Sequence, residues 1–112
     1  MESKERKVIN WKNQEVSLTS ILETDVGWND IIYRLYDDLV ALGWDRELHQ
    51  CKEKFGSLRF YIGYGNDDIF ARIAKAEIES EKTCEICGKE GTITGKYWLK
   101  CTCPDHKEEQ DK

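Results

Sequence analysis

Cys84, Cys87, Cys103 and His106 are the residues whose types and spacing point most directly to chemistry. Cys84-Glu85-Ile86-Cys87-Gly88-Lys89 and Cys103-Pro104-Asp105-His106 each place two donors three positions apart, and fifteen residues separate Cys87 from Cys103. Two residues between donors let a tight turn aim both side chains at one ion. Thiolate and imidazole suit zinc, which takes four ligands in a tetrahedron. Gly88 permits the left-handed backbone that closes such a turn. The expected cofactor is therefore one structural zinc ion. A catalytic zinc would keep an open position beside three protein ligands. A redox Cys-x-x-Cys belongs in a thioredoxin-like βαβ pattern, which this chain lacks.

Cys101 competes for the third position. It lies two residues before Cys103, so on a strand both would face the same way. Either could be the ligand. Cys103 is preferred, because Cys-x-x-His then mirrors Cys-x-x-Cys and leaves Cys101 as a spare thiol nearby.

The elements that must position this site read as α+β. At 112 residues the chain has the length of one small domain, and a metal staple is a common supplement at this size. Val8, Ile9 and Trp11 suggest a short strand. Val16, Leu18 and Ile21 form a second apolar set that fits strand or helix. Trp28, Ile31, Ile32, Leu35, Leu39 and Leu42 make one stripe and predict a helix over 28–42, with Gly43 as its stop. Leu48 to Ile62 predicts a β-hairpin around Phe55-Gly56-Ser57. Alternation puts Cys51, Phe55, Leu58, Phe60 and Ile62 on one face and Lys52, Lys54, Arg59 and Tyr61 on the other. Asn66 or Asp67 caps a second helix over 68–82, with Ile69, Phe70, Ile73, Ala76 and Ile78 as its apolar positions. Two short strands around Gly95 complete a zinc ribbon. Residues 1–83 thus form an α+β region, 84–106 a ribbon packed on it, and 107–112 a charged, disordered tail. The four tryptophans, Trp11, Trp28, Trp44 and Trp98, are expected in or beside the core.

Charge bounds the partners. The net charge of −5 disfavours a general nucleic-acid binder. Acids concentrate over residues 23–47, where Asp30, Asp37 and Asp38 lie on the first helix and offer a mimic of nucleic-acid phosphates. Lys52, Lys54, Arg59 and Tyr61 form a possible partner-binding strip on the hairpin, suited to an acidic or phosphate-bearing partner. Such a strip is also compatible with single-stranded nucleic acid. His49 and Cys51 could be read as a base–nucleophile pair, but no oxyanion donor or orienting acid accompanies them. A buried cysteine beside a satisfied histidine is the simpler reading, and no catalytic residue is assigned. The charged start lacks a secretory h-region, and no apolar run nears the roughly 18 residues of a membrane span. A cytoplasmic protein without a membrane partner is expected.

The run Lys52-Glu53-Lys54-Phe55-Gly56-Ser57-Leu58-Arg59-Phe60-Tyr61, a following helix, Cys84-x-x-Cys87-Gly88, Trp98 and Cys103-x-x-His106 occur in one order. This arrangement resembles small proteins of phages and prophages, over roughly residues 27–106. Those relatives carry Thr-Leu before the third cysteine, where this chain has Cys101-Thr102. The resemblance implies no activity. It implies a mobile-element protein acting inside a bacterial host cell. The expected function is a non-enzymatic module that binds and modulates a host protein in transcription, replication or defence. The alternative is a nucleic-acid-binding zinc ribbon.

Overall fold

In the computed structural model of the chain, residues 6–95 and 99–106 are described. They contain two α-helices and seven short strands: β1 (Lys7–Ile9), β2 (Glu15–Ser17), β3 (Leu22–Glu23), α1 (Asn29–Ala41), β4 (Leu48–Lys54), β5 (Ser57–Ile62), α2 (Asp67–Ser80), β6 (Thr92–Thr94) and β7 (Lys100–Thr102). The α+β class expected from the sequence holds. The expected positions of Trp98 and of the 107–112 tail lie outside the described residues. No helix among the described residues is long and apolar enough to cross a membrane.

The central sheet has the order β3-β4-β5. β4 and β5 are antiparallel, with Cys51 opposite Phe60 and Lys52 opposite Arg59. β3 adds a two-residue parallel strand, Leu22 beside Cys51 and Glu23 beside Lys52. The two helices pack on each other, and α2 packs on β5. α1 buries Ile31, Ile32, Leu35, Tyr36 and Leu39, the three- and four-step stripe read from the sequence. Trp28 precedes α1 in a 3-10 turn and is fully buried. Leu42, expected on the same stripe, is exposed beyond the helix end. Trp44 joins the layers, with its ring centre 5.9 Å from those of both Tyr36 and Phe60.

α2 begins at Asn66, whose side chain accepts a hydrogen bond from the Ile69 N–H at 3.0 Å. It ends at Ser80, two residues short of the expected end. It also seals the outer edge of β5. The Leu58 N–H donates to Ser80 Oγ at 2.8 Å, and the Phe60 N–H donates to Glu77 Oε2 at 3.2 Å. An open strand edge presents such groups unpaired, so these side chains end the sheet. Ile69, Ile73 and Ala76 face the core, but Phe70 and Ile78 are exposed, contrary to expectation. Their positions turn them away from the Ile69–Ile73–Ala76 face at 100° per residue.

Two further expectations are corrected. The first strand stops at Ile9, and Trp11 sits in the β1–β2 turn at 70% exposure instead of beside the core. There Asn10 Oδ1 accepts from the backbone N–H groups of Lys12 and Gln14, closing a side-chain-stapled turn. Phe55 does not share the face of Cys51, Leu58 and Phe60. Lys54 pairs directly with Ser57, so only Phe55 and Gly56 make the turn, and Phe55 is 63% exposed.

Candidate metal centre

The C-terminal segment folds as two turns and a strand pair that bring its donors together. Thr83 bridges to Glu90, the Cys84 N–H donates to Lys89 O at 2.6 Å, and the Gly88 N–H returns to Cys84 O at 2.9 Å. Gly88 holds φ +87° at the close of this turn, as its type suggested. The second half follows β7. Pro104 opens a 3-10 turn in which the His106 N–H donates to Cys103 O at 3.0 Å. β6 and β7 pair antiparallel, Ile93 opposite Cys101, and link the halves.

The result is a Cys3His cluster. One donor atom each from Cys84, Cys87, Cys103 and His106 lies within 4.8 Å of the others, an arrangement that could hold a metal ion. His106 Nδ1 is 3.2 Å from Cys103 Sγ and 3.6 Å from Cys84 Sγ, and Cys87 Sγ is 3.6 Å from Cys103 Sγ. Metal–sulfur bonds of about 2.3 Å give tetrahedral edges of about 3.8 Å, and these three separations lie near that value. Cys84 and Cys103 are buried, His106 is half-buried and Cys87 is exposed. Burial opposes ionisation of Cys84. Backbone N–H groups of Cys87, Cys103 and Ile86, with the His106 ring, outweigh it and bring the thiol to about 6.

Cys101 is excluded from the cluster by position. It sits on β7 with its side chain in the hydrophobic core, fully buried. Burial pushes its thiol up to about 11, which favours the protonated form. The strand ends at Thr102, so the alternation that would align Cys101 with Cys103 stops before Cys103 is reached.

Residues outside the motif hold the centre against the rest of the fold. The Gly27 N–H donates to Glu85 O at 2.6 Å, and Trp28 Nε1 donates to Thr83 O at 2.8 Å. A Cβ on Gly27 would collide with the backbone carbonyls of Cys84 and Glu85. Glu85, between two donors, is itself buried. Its Oε2 accepts from the Asp25 N–H at 3.1 Å, and Lys100 Nζ lies 3.8 Å from Oε1. Burial raises its carboxyl, while the Asp25 N–H and Lys100 act in the opposite direction. The sequence reading missed these residues. A glycine directly before a core tryptophan was the available signal for close backbone approach.

The other candidates lie apart from the cluster. Lys52, Lys54, Arg59 and Tyr61 occupy one side of the β4–β5 hairpin, with Lys54 and Tyr61 exposed and Lys52 and Arg59 half-buried. Glu23 of β3 stands beside Lys52 and offsets part of that charge. His49 is solvent-facing and pairs with Glu47 at 2.9 Å. Cys51 is fully buried, and burial lifts its thiol to about 12. The two therefore make no nucleophile–base pair. The acids of α1 are also engaged: Asp37 with Arg6, Asp30 with Arg34, and Asp38 with Arg72. No family model matches the chain, and neither curated proteins nor solved structures yield a match.

Proposed function

We propose that Cys84, Cys87, Cys103 and His106 bind one zinc ion and close residues 84–106 as a zinc ribbon. We further propose that the protein is a non-enzymatic phage or prophage module that binds and modulates a host protein inside the bacterial cytoplasm. The carrying observation is the convergence of four donors from two separate turns to within 4.8 Å of one another. Three thiolates and one imidazole favour zinc over hard cations such as magnesium or calcium. Four protein ligands fill the coordination sphere, which assigns the ion a folding role. When bound, it contributes cross-linking free energy between the two turns. Binding to a partner then falls to surfaces away from the metal. The phage context rests on the sequence resemblance of the hairpin and ligand motifs.

X-ray absorption of the purified protein should give three sulfurs, one nitrogen and no water. A bound water would return the site to a catalytic class. Affinity purification from nuclease-treated bacterial lysate should enrich a defined host protein. Repeated absence of one counts against the binding reading.

A second reading is a nucleic-acid-binding zinc ribbon. It draws on Lys52, Lys54, Arg59 and Tyr61 sharing one side of the hairpin. Glu23 beside Lys52 and the net charge of −5 weaken it. It requires salt-dependent binding to single-stranded DNA or RNA that is lost when Lys54 and Arg59 are changed together.

A further inference from the structure

The four donors of the cluster differ in access. Cys84 is fully buried, Cys103 is 2% exposed and His106 is half-buried, whereas Cys87 is exposed. Cys87 also lines a hollow of 490 Å³ between its own turn and the two helices, together with Gly27, Asp30, Arg34, Glu79 and Gly88. Gly27 and Gly88 bring no side chain to cover the sulfur. Arg34 is tied to Asp30 at 2.9 Å and to Glu79 at 2.7 Å. One thiol of the cluster is thus open to a polar hollow whose two carboxylates outnumber its guanidinium. That favours a small uncharged reactant over an anionic one.

Cys87 has a second thiol within reach. Its Sγ is 3.6 Å from Cys103 Sγ, across the two turns. A disulfide needs about 2.0 Å between sulfurs, a short side-chain movement from there. Cys84 is the other neighbour, but backbone N–H groups of Ile86, Cys87 and Cys103 and the His106 ring converge on its sulfur. Groups that stabilise a thiolate also lower its nucleophilicity. Cys51 and Cys101 are fully buried in the core. Coordination keeps ligand thiols deprotonated, and oxidation follows thiolate character and access.

We propose that Cys87 and Cys103 form a peroxide-sensitive dithiol, with Cys87 the site of attack and Cys103 the resolving thiol. The Cys87 sulfur attacks one oxygen of hydrogen peroxide. An S–O bond forms, the O–O bond breaks, and the departing hydroxide takes a proton to become water. The Cys103 thiolate then attacks the Cys87 sulfur. The S–S bond forms, the S–O bond breaks, and the second hydroxide is protonated to water. Two thiolates, one peroxide and two protons become one disulfide and two waters. Cys84 and His106 are left as donors, too few for a closed zinc site, so the ion leaves. The new bond still joins the two turns. This rests on the zinc reading above and adds a modification site to it.

The test uses the full chain, purified reduced and then freed of reductant. Its zinc content is measured first. A chain without zinc overturns the metal reading and this proposal with it, whereas a loaded chain that fails the later steps overturns this proposal alone. Limited alkylation with iodoacetamide should modify Cys87 about tenfold or more faster than Cys84 or Cys103. Stoichiometric peroxide should release the ion to a zinc-binding dye, and a phosphine reductant with added zinc should restore it. Trypsin cuts after Lys82, Lys89 and Lys100, which places Cys84 and Cys87 on one peptide and Cys101 and Cys103 on another. Peroxide should join these two peptides within one chain, and fragmentation should assign the link to Cys87 and Cys103. Cys101→Ala keeps all four donors and should give the same link and the same release. Zinc retained under peroxide, a Cys84–Cys87 disulfide inside one peptide, a link lost in Cys101→Ala, or alkylation that begins at Cys84 each overturns the proposal.

Discussion

Substitution of Cys103 by Ser deletes one of four convergent donors, whereas substitution of Cys101 by Ala removes a buried thiol from the adjoining core. Native mass spectrometry should therefore find Cys101→Ala loaded with one ion and Cys103→Ser with sharply reduced metal. The Cys101 variant should still lose about 1 kcal/mol or more of stability, through the small cavity it leaves. Acid should strip the metal in wild type. Ligands coordinate only when deprotonated, so the released state holds more protons and loading weakens as pH falls. Metal content followed through a pH titration should drop on the acid side and recover on return to neutrality. The ligand set was legible in the sequence because tight-turn spacing is local. The role of Cys101 was not, because alternation fixes which way a residue points only while the strand lasts, and this one ends at Thr102.

At the scale of elements, the junction of α2 with β5 gives two sharper expectations. Ser80 is fully buried and accepts the N–H of Leu58. Ser80→Ala leaves that donor without a partner and should cost about 1–3 kcal/mol in urea unfolding. Glu77 accepts the N–H of Phe60 at the same edge. Burial raises its carboxyl, while the Phe60 N–H and Arg59 lower it and Glu81 raises it further. A raised folded pKa means that the native state favours the protonated acid. The charge therefore costs stability above the folded pKa, and that cost disappears as pH falls toward the unfolded value. Glu77→Gln keeps an acceptor without the charge. It should be more stable than wild type at neutral pH and converge with it in acid, as pH-dependent urea midpoints would register. Periodicity revealed α1, α2 and the hairpin, because their apolar positions repeat within a single segment. β3 escaped it, since two residues carry no repeat and their pairing to β4 is decided by a distant strand. Phe55 was misplaced for a related reason: alternation continued through a turn assigns a face to a residue that has none.

Over the whole molecule, the metal segment and the helical layer meet through hydrogen bonds from Gly27 and Trp28 as well as through Cys101 and Ile93 at the shared core. Gly27 donates to Glu85, and Trp28 reaches from the core to Thr83, the residue before the first ligand. Order in the Cys84 turn is thus coupled to the residues that lead into α1. Metal binding supplies about 10–16 kcal/mol in small zinc peptides, which is comparable to the whole stability of an ordinary domain. Chelation should loosen the C-terminal segment and carry the disturbance to Trp28, while Trp11, on an exposed turn at the far end of β1, has no such connection. In a nitrogen–proton correlation spectrum the Trp28 indole signal should shift or broaden on chelation and return on reloading, with the Trp11 signal unmoved. The urea midpoint should fall in parallel. A Trp28 signal insensitive to metal would mean that the two parts of the chain hold their structures independently. Gly27→Ala supplies the converse perturbation: the added Cβ forces the backbones apart without touching a ligand. It should lower the urea midpoint and shift the Trp28 indole signal while one ion per chain remains bound. Loss of metal in that variant would instead show that the Gly27 contact helps shape the ligand turn itself.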